Sequence, residues 1–138
     1  MVTGMTADLT MDDLRTATTR FYAALGDVLA GDPEPMFAIW SRAGDVCYSG
    51  PMGPLVVGWE PIRRSWQEQA DAKLGGFVSP EELHFVVGGP LGVVTGYERG
   101  EVAADGVATT VNIRATSTYR LEDGEVKMIG HHTDPIGP

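Results

Sequence analysis

The second half of the chain alternates between two kinds of side chain at every second position. Residues 107–135 do so on both sides of Glu122-Asp123-Gly124. Asp-Gly between two such runs predicts a β-hairpin, because glycine accepts the positive φ that the turn requires. Two earlier runs, Glu82–Val87 and Gly92–Ala103, are also bounded by glycine turns. We therefore predict a meander of four antiparallel strands.

The first half has helical spacing instead. Apolar residues recur every three or four positions after Thr10, which predicts a helix with Thr10 as its N-cap that runs to about Ala30. A second, short helix is expected at Pro35–Trp40 and a third at Gly58–Lys73, both with proline near the first turn.

Between the second and third helices the chain has the pattern of two short strands. Gly44–Ser49 predicts the first, and residues 55–57 predict a brief partner after a turn rich in glycine and proline. Three helices with an inserted strand, followed by a meander, indicate an α+β domain whose helices pack on one face of a bent sheet.

Composition narrows the class of protein. The 138 residues are 43% hydrophobic, which suits one globular domain, and residues 1–9 read as a flexible tail. A net charge of −9 disfavours binding to nucleic acid. No stretch has the length of a membrane helix or the pattern of a signal peptide, and the one cysteine, Cys47, permits no internal disulfide. We expect a soluble cytoplasmic protein.

Three local motifs, in this order, resemble the SnoaL-like and ketosteroid-isomerase-like branch of the nuclear transport factor 2-like superfamily. The first is residues 45–53, DVCYSGPMG, followed by Gly58 at the start of a helix. The second is Arg114-Ala115-Thr116 ahead of Asp123-Gly124, and the third is His132-Thr133-Asp134. Together they span most of the chain.

The resemblance implies a cystatin-like α+β barrel, in which a cone-shaped, curved antiparallel sheet wraps around three N-terminal helices. It also implies an apolar pocket open at one end for a small molecule, and a homodimer formed through the outer face of the sheet. The superfamily includes isomerases, cyclases, dehydratases, epoxide hydrolases and non-catalytic binding modules, so the fold alone does not settle the function.

Departures from the family pattern limit the chemistry. Gly50 stands where ketosteroid isomerases have their aspartate base, so steroid isomerase activity is not expected. The chain has no pair of strand aspartates like that of limonene-type epoxide hydrolases. Asp134 is the loose equivalent of the late carboxylate that SnoaL-type cyclases use.

His132 and Asp134 are the first candidates for catalysis. They lie two residues apart, so they share one face of the last strand, whereas His131 points to the other face. A carboxylate beside a histidine suits a general acid/base. The alternative is a structural pair or a dimer contact, and a one-residue bulge would reverse every such assignment of faces.

Other residues are candidates for binding a substrate. Arg114 and Asn112 share a face of the neighbouring strand and could clamp a carboxylate or carbonyl if that face is concave; otherwise they face solvent or a dimer partner. The same two interpretations apply to Tyr97 and to Arg99. The aromatic residues that could line a pocket are Tyr22, Trp40, Tyr48, Trp59 and Trp66.

Those aromatic residues are not equally good candidates for lining a pocket. Tyr48 shares its strand parity with Gly50 and by family analogy points inward. A buried tyrosine hydroxyl needs a partner, so Tyr48 and Tyr22 are the better pocket candidates, whereas tryptophans on amphipathic helices are more typical of plain core.

Two hypotheses for the function stay open. The first is an enzyme without cofactor or metal that performs acid/base chemistry on an apolar, carbonyl-bearing substrate. His132 would be its acid/base, Asp134 would orient His132, and Tyr48 or Tyr22 would donate to the developing oxyanion. The second is a non-catalytic module for ligand binding or dimerisation. The three histidines, at 84, 131 and 132, lack the spacing of a metal site.

Overall fold

The computed structural model describes residues 8–136. The helices are α1 (Met11–Ala30), α2 (Glu34–Ile39) and α3 (Trp59–Ala72). The strands are β1 (Cys47–Ser49), β2 (Val56–Val57), β3 (Phe77–Gly88), β4 (Leu91–Ala104), β5 (Val107–Glu122) and β6 (Glu125–Pro135). Every predicted element is present in the predicted order, which confirms the α+β class.

All six strands form one curved, open sheet in the order β2-β1-β6-β5-β4-β3. The β3–β6 meander is antiparallel throughout, and Asp123 and Gly124 take positive φ values of 49° and 81° in the last turn, as predicted. One feature differs from the expected antiparallel sheet: β1 runs parallel to β6, with Tyr48 opposite His131. The chain reaches β1 from the helical half, so it enters the sheet at the free edge of β6 rather than through a hairpin.

The boundaries of two strands differ from the predicted ones. β1 begins at Cys47 rather than Gly44, because Asp45 is held in the preceding turn by an ion pair with Arg120. β3 begins at Phe77 rather than Glu82. Its first part pairs with β4 through polar contacts such as Glu81–Arg99, which leave little hydrophobic pattern to recognise.

Glycines on β4 explain much of the curvature. A Cβ added to Gly100 would lie 2.0 Å from the carbonyl oxygen of Phe77, and one on Gly96 would lie 2.9 Å from that of Glu81. The backbone of β3 therefore occupies space that side chains of β4 would fill. Next to this contact β3 has a register shift, where Glu82 takes a φ of 55°.

Helix α1 begins and ends at clear signals. The Thr10 hydroxyl accepts a hydrogen bond from the Asp13 N–H at 3.1 Å, which confirms the predicted N-cap, and Gly31 ends the helix at a φ of 106°. The predicted flexible tail is corrected at Leu9, which is buried and donates its N–H to the Gly89 carbonyl at 2.9 Å. Residues 1–7 of that tail lie outside the described residues.

The helices pack on the concave face of the sheet and form the core with it. Buried apolar side chains come from all three helices and from the sheet, and they include Leu14, Phe21, Val28, Met36, Ile62, Trp66, Val94, Tyr119 and Met128. Within residues 8–136, no helix combines the length and the apolar character that crossing a bilayer requires.

Candidate functional site

A group of polar side chains lies inside this core, between α1 and the concave face of the sheet. We call Tyr22, Glu98, Ser117 and His131 the core polar cluster. Glu98 is only 3% exposed and His131 only 5%. Glutamate is almost never fully buried without partners, so the cluster needs a structural or a chemical explanation.

The four side chains form a continuous chain of contacts around Glu98. The Tyr22 hydroxyl donates to Glu98 Oε2 at 2.8 Å, and His131 Nε2 lies 3.4 Å from the same oxygen. On the far side of the imidazole ring, Ser117 Oγ lies 2.8 Å from His131 Nδ1. The neutral tautomer that suits both contacts carries its hydrogen on Nε2, facing Glu98, and accepts from Ser117 at Nδ1.

Strand geometry and one glycine bring Tyr22 to Glu98. Glu98 lies on the inward face of β4, together with Gly92 and Val94. A Cβ at position 92 would lie 2.9 Å from Leu14, so glycine there lets α1 pack closely on the sheet. The close approach places Tyr22, two turns farther along α1, within hydrogen-bond distance of the carboxylate.

The surroundings of the cluster are largely apolar and aromatic. The His131 ring lies 4.6 Å from that of Phe21 and is stacked with that of Tyr48 at 6.2 Å, with 10° between the planes. Burial, and secondly the Glu98 charge, raise the pKa of Tyr22 far above its ordinary value. Tyr22 therefore stays protonated and acts as a hydrogen-bond donor.

Two clefts approach the cluster from different sides, each through a tyrosine. The first, the α1–β3 cleft, has a volume of about 510 Å³ and includes Tyr22 in its wall. Its other lining residues are Arg15, Thr18, Thr19, Pro80, Leu83 and Phe85. The second, the β1-turn cleft, has about 270 Å³ and contains Tyr48, Ser65, Gln69 and the turn from Gly50 to Pro54.

Tyr48 forms the inner wall of the β1-turn cleft, and the structure buries it as parity predicts. It accepts a hydrogen bond from Gln69 Nε2 at 3.0 Å, which leaves its own hydroxyl hydrogen available. Burial raises the pKa of Tyr48 to about 12, although the Gln69 hydrogen bond acts to lower it. Gly50 leaves space beside this hydroxyl, since a Cβ there would lie 3.2 Å from the Tyr48 oxygen.

The predicted pair His132 and Asp134 does share one face, but it is the outer face of the sheet. Thr118 pairs with Gly130 and Tyr119 with Met128, so Ile129 is an extra residue in β6. Because of this bulge, each residue after Ile129 faces the side of the sheet opposite to the one expected by alternation from Met128. His132 is exposed and His131 is buried, the reverse of the orientation that the first hypothesis required.

The other polar candidates on the long strands also lie on the outer face. Arg114 binds Asp134 there, with Nη2 and Oδ2 2.6 Å apart, and Asn112 accepts from Arg99 at 3.0 Å. The Arg99 guanidinium lies 4.4 Å above the ring of Tyr97. Arg114 and Asn112 could clamp a ligand only on the concave face, so they do not form that clamp. They face solvent or a partner, which was the alternative interpretation.

The three tryptophans differ in position. Trp40 and Trp66 are 1% exposed and belong to the core, as their helical spacing indicated. Trp59 is half-buried at the edge, between Phe37 and the Arg42 guanidinium. The indole N–H groups of Trp40 and Trp66 and the hydroxyl of Tyr119 are buried without a hydrogen-bond partner in the described part of the chain.

Sequence reasoning missed Glu98, Ser117 and His131. For Glu98 a signal was present, because a strand face read as Gly92, Val94, Gly96, Glu98 includes a carboxylate among small and apolar residues. The inward position of His131 depends on the bulge, and no residue type in β6 indicates a bulge. Within residues 8–136, no three side chains of His, Cys, Asp or Glu come together as a metal site would need.

Solved structures share this fold along nearly the whole chain. A candidate dehydratase of the nuclear transport factor 2-like family from Streptomyces avermitilis is 23% identical, covers 92% of this chain and 96% of its own, and has a TM-score of 0.81. A candidate aromatic ring hydroxylase from Novosphingobium aromaticivorans is 18% identical, with coverages of 94% and 92% and a TM-score of 0.79.

A third solved structure, an uncharacterised protein with a cystatin-like fold from Caulobacter vibrioides, is 13% identical, with coverages of 92% and 89% and a TM-score of 0.75. At these identities the similarity shows the fold alone. Among curated proteins, none matches the chain. The family model described as a SnoaL-like domain matches residues 14–135, nearly the whole chain. The chain therefore belongs to the SnoaL-like family and has a nuclear transport factor 2-like fold.

Proposed function

We propose that this SnoaL-like protein is an enzyme that performs acid/base chemistry on an apolar, carbonyl-bearing small molecule, by elimination of water or by a proton shift. One observation carries the proposal. A glutamate is buried in the core of the domain and is held by a tyrosine hydroxyl, with a histidine in contact. Burial raises the pKa of Tyr22 in this cluster, and a buried group with a raised pKa beside a charged partner is typical of a functional site.

Stability alone is a weak reason for this cluster. Desolvation of a buried carboxylate costs several kcal/mol, and apolar residues of similar volume are often as stable or more so. A core built only for stability would place another Val or Leu at position 98, as it does at Val94. A chemical role explains why a glutamate is there.

The α1–β3 cleft is the best location for the substrate, because Tyr22 connects it directly to Glu98. When a proton leaves the carbon next to the substrate carbonyl, it passes to Tyr22 Oη while the hydroxyl proton of Tyr22 moves to Glu98 Oε2. The product of this step is an enolate and a neutral Glu98. No phenolate forms, in agreement with the raised pKa of Tyr22.

The second half of the reaction returns the same proton. It passes from Glu98 through Tyr22 either to a leaving hydroxyl group, which departs as water, or to another carbon, which gives an isomer. His131 Nε2 lies 3.4 Å from Glu98 Oε2, and Ser117 Oγ holds the imidazole on its other side through a 2.8 Å contact with Nδ1. In this proposal His131 supports Glu98, whereas the first sequence-based hypothesis made His132 the acid/base itself.

One structural relative supports this class of reaction. The Streptomyces avermitilis relative is a candidate dehydratase, which is elimination chemistry of the kind proposed here. A steroid isomerase is not proposed, because Gly50 replaces the aspartate base of that branch.

Carbon-bound hydrogen exchange tests the proposal without knowledge of the natural substrate. A panel of aromatic and alicyclic ketones and β-hydroxy ketones is incubated with the protein in D₂O and followed by NMR. We expect deuterium to enter next to the carbonyl in at least one compound, and Glu98→Gln to remove at least about 99% of that rate, as loss of a general base does.

The matched control is Glu68→Gln, which removes an exposed carboxylate from α3 and should exchange like the wild type. Circular dichroism spectra of the variants establish that they are folded. Equal exchange in the wild type and in Glu98→Gln would overturn the proposal.

A second candidate function is a non-catalytic ligand-binding or dimerisation module. The packing favours it in one respect: Phe21 and Trp66 fill the interior beside His131, and neither cleft includes Glu98 in its lining. A homodimer through the outer face of the sheet belongs to both candidates as a proposal. Native mass spectrometry should then give twice the mass of the chain, and a retained small ligand without any exchange activity would favour the module.

A further inference from the structure

We infer that the α1–β3 cleft binds an amphipathic anion, a molecule with an apolar body and one anionic group, and that Arg15 is the residue that selects the anion. This inference rests on the proposed function in that it names the charge of the substrate for the same cleft. It predicts binding, so it is testable apart from catalysis.

The walls of the cleft suit the apolar body. On the sheet side the lining consists of Pro80, Leu83 and Phe85, which come from β3 around its register shift. On the helix side Thr18 and Thr19 both use their hydroxyls to donate to backbone carbonyls of α1. Little polar capacity is therefore left along the middle of the cleft. Its volume of about 510 Å³ is in the range of pockets for small molecules.

Arg15 supplies the complementary charge at one end. Its guanidinium lies 4.4 Å above the ring of Phe85, so the cation is held against the apolar wall. Four other arginines contact a carboxylate: Arg63, Arg99, Arg114 and Arg120. Arg15 has no carboxylate contact among residues 8–136, although the whole chain has 19 acidic and 10 basic residues.

The helix fixes the distance between the anion anchor and the reacting end. Arg15 and Tyr22 are seven residues apart on α1, which is about two turns and roughly 10 Å along one face. Both line the cleft. A ligand that reaches both must span the side-chain ends of two positions that lie roughly 10 Å apart along the helix axis.

Two fluorescent probes of the same shape separate the charge from the apolar body. The first, 8-anilinonaphthalene-1-sulfonate, carries an anion, and the second, N-phenyl-1-naphthylamine, is the same ring system without it. Each is titrated into the wild type, Arg15→Gln and Arg20→Gln. Arg20 is the matched control, because it is an exposed arginine on the same helix that lines a different cleft.

We expect Arg15→Gln to raise the Kd of the sulfonate by about fivefold at low salt, the size of an exposed charge contact, and to leave the Kd of the neutral probe unchanged. Arg20→Gln should change neither, and 0.5 M salt should reduce the difference that Arg15 makes. The neutral probe controls for packing against Phe85 that is lost with the guanidinium.

Three outcomes would overturn the inference: equal sulfonate binding by the wild type and Arg15→Gln, equal weakening of both probes, or binding of neither probe. The proposed function fails separately, in the exchange experiment on Glu98→Gln.

Discussion

Individual tyrosines in this core are held in their neutral form by burial. Tyr22, Tyr48 and Tyr119 all have pKa values raised above the ordinary value, with burial as the largest cause. An unfolded chain ionises its tyrosines near pH 10, whereas the folded protein does so later. Stability therefore falls as the pH rises above 10, since the unfolded state binds fewer protons there.

Tyr48→Phe tests this linkage at one residue. For Tyr48 the loss is expected between pH 10 and its folded pKa of about 12, at about 1.4 kcal/mol per pH unit. The variant lacks the ionisable hydroxyl, so its free energy of unfolding should fall less steeply with pH in this range. Urea unfolding at pH 8, 10 and 11 measures the slope, and an unchanged slope would contradict the argument.

The loss of the Gln69 hydrogen bond sets a separate baseline. At pH 8 Tyr48 is neutral in both the folded and the unfolded chain, so the difference between Tyr48→Phe and the wild type at that pH reports only the hydroxyl and its contact with Gln69. We expect that difference to be about 1 kcal/mol in favour of the wild type.

At the scale of elements, one glycine in α1 and one in β4 differ in the space available for a side chain, and substituting each of them tests what that space does for stability. Gly26 is exposed inside α1, and an added Cβ would have no atom within 4 Å. Gly100 is in β4, where an added Cβ would lie 2.0 Å from the Phe77 carbonyl oxygen. Alanine should therefore help the helix and disrupt the sheet.

We expect Gly26→Ala to raise the free energy of unfolding by about 1 kcal/mol, the helix propensity difference. Gly100→Ala should lower it by about 3 kcal/mol or more, because β3 must move away from β4. Chemical denaturation of both variants gives the two values. Equal effects of the two substitutions would show that close backbone approach does not determine the curvature here.

Most of the helices and strands could be predicted from local patterns, because residues next to each boundary determine where the element begins or ends. Thr10 and Gly31 mark the ends of α1, and Asp123-Gly124 marks the last turn, each through the backbone geometry that those residues favour. The inward position of Tyr48 also followed, because β1 is short and regular.

The faces of the long strands could not be predicted in the same way. Alternation assigns every residue of a strand from one starting point, so the bulge at Ile129 displaced His132 and Asp134 together. The position of Glu98 depends on α1 supplying Tyr22 across the core, a contact between residues 76 apart in sequence. Such a long-range contact leaves no mark in a local pattern.

At the scale of the whole molecule, a substitution on the outer face of the sheet tests the proposed homodimer. Thr116 lies near the middle of this face, where it lines two shallow grooves. If two copies meet there, Thr116→Arg should place like charges against each other and yield monomers at micromolar concentration. Light scattering after size-exclusion chromatography measures the mass.

The matched control is Ala72→Arg, which adds the same charge at an exposed position of α3 on the helical side. It should keep the mass of the wild type. A wild-type monomer, or a dimer that survives Thr116→Arg, would contradict a homodimer through the sheet.

Loss of the single codon for Ile129 would remove the bulge and leave both neighbouring histidines on their present faces. The residues before and after Ile129 already pair with adjacent positions of β5, so the shortened strand would alternate regularly and His131 would stay beside Glu98. The same codon loss would make the inward position of His131 readable from simple alternation. Divergent lineages with one residue fewer in β6 could therefore keep the same chemistry.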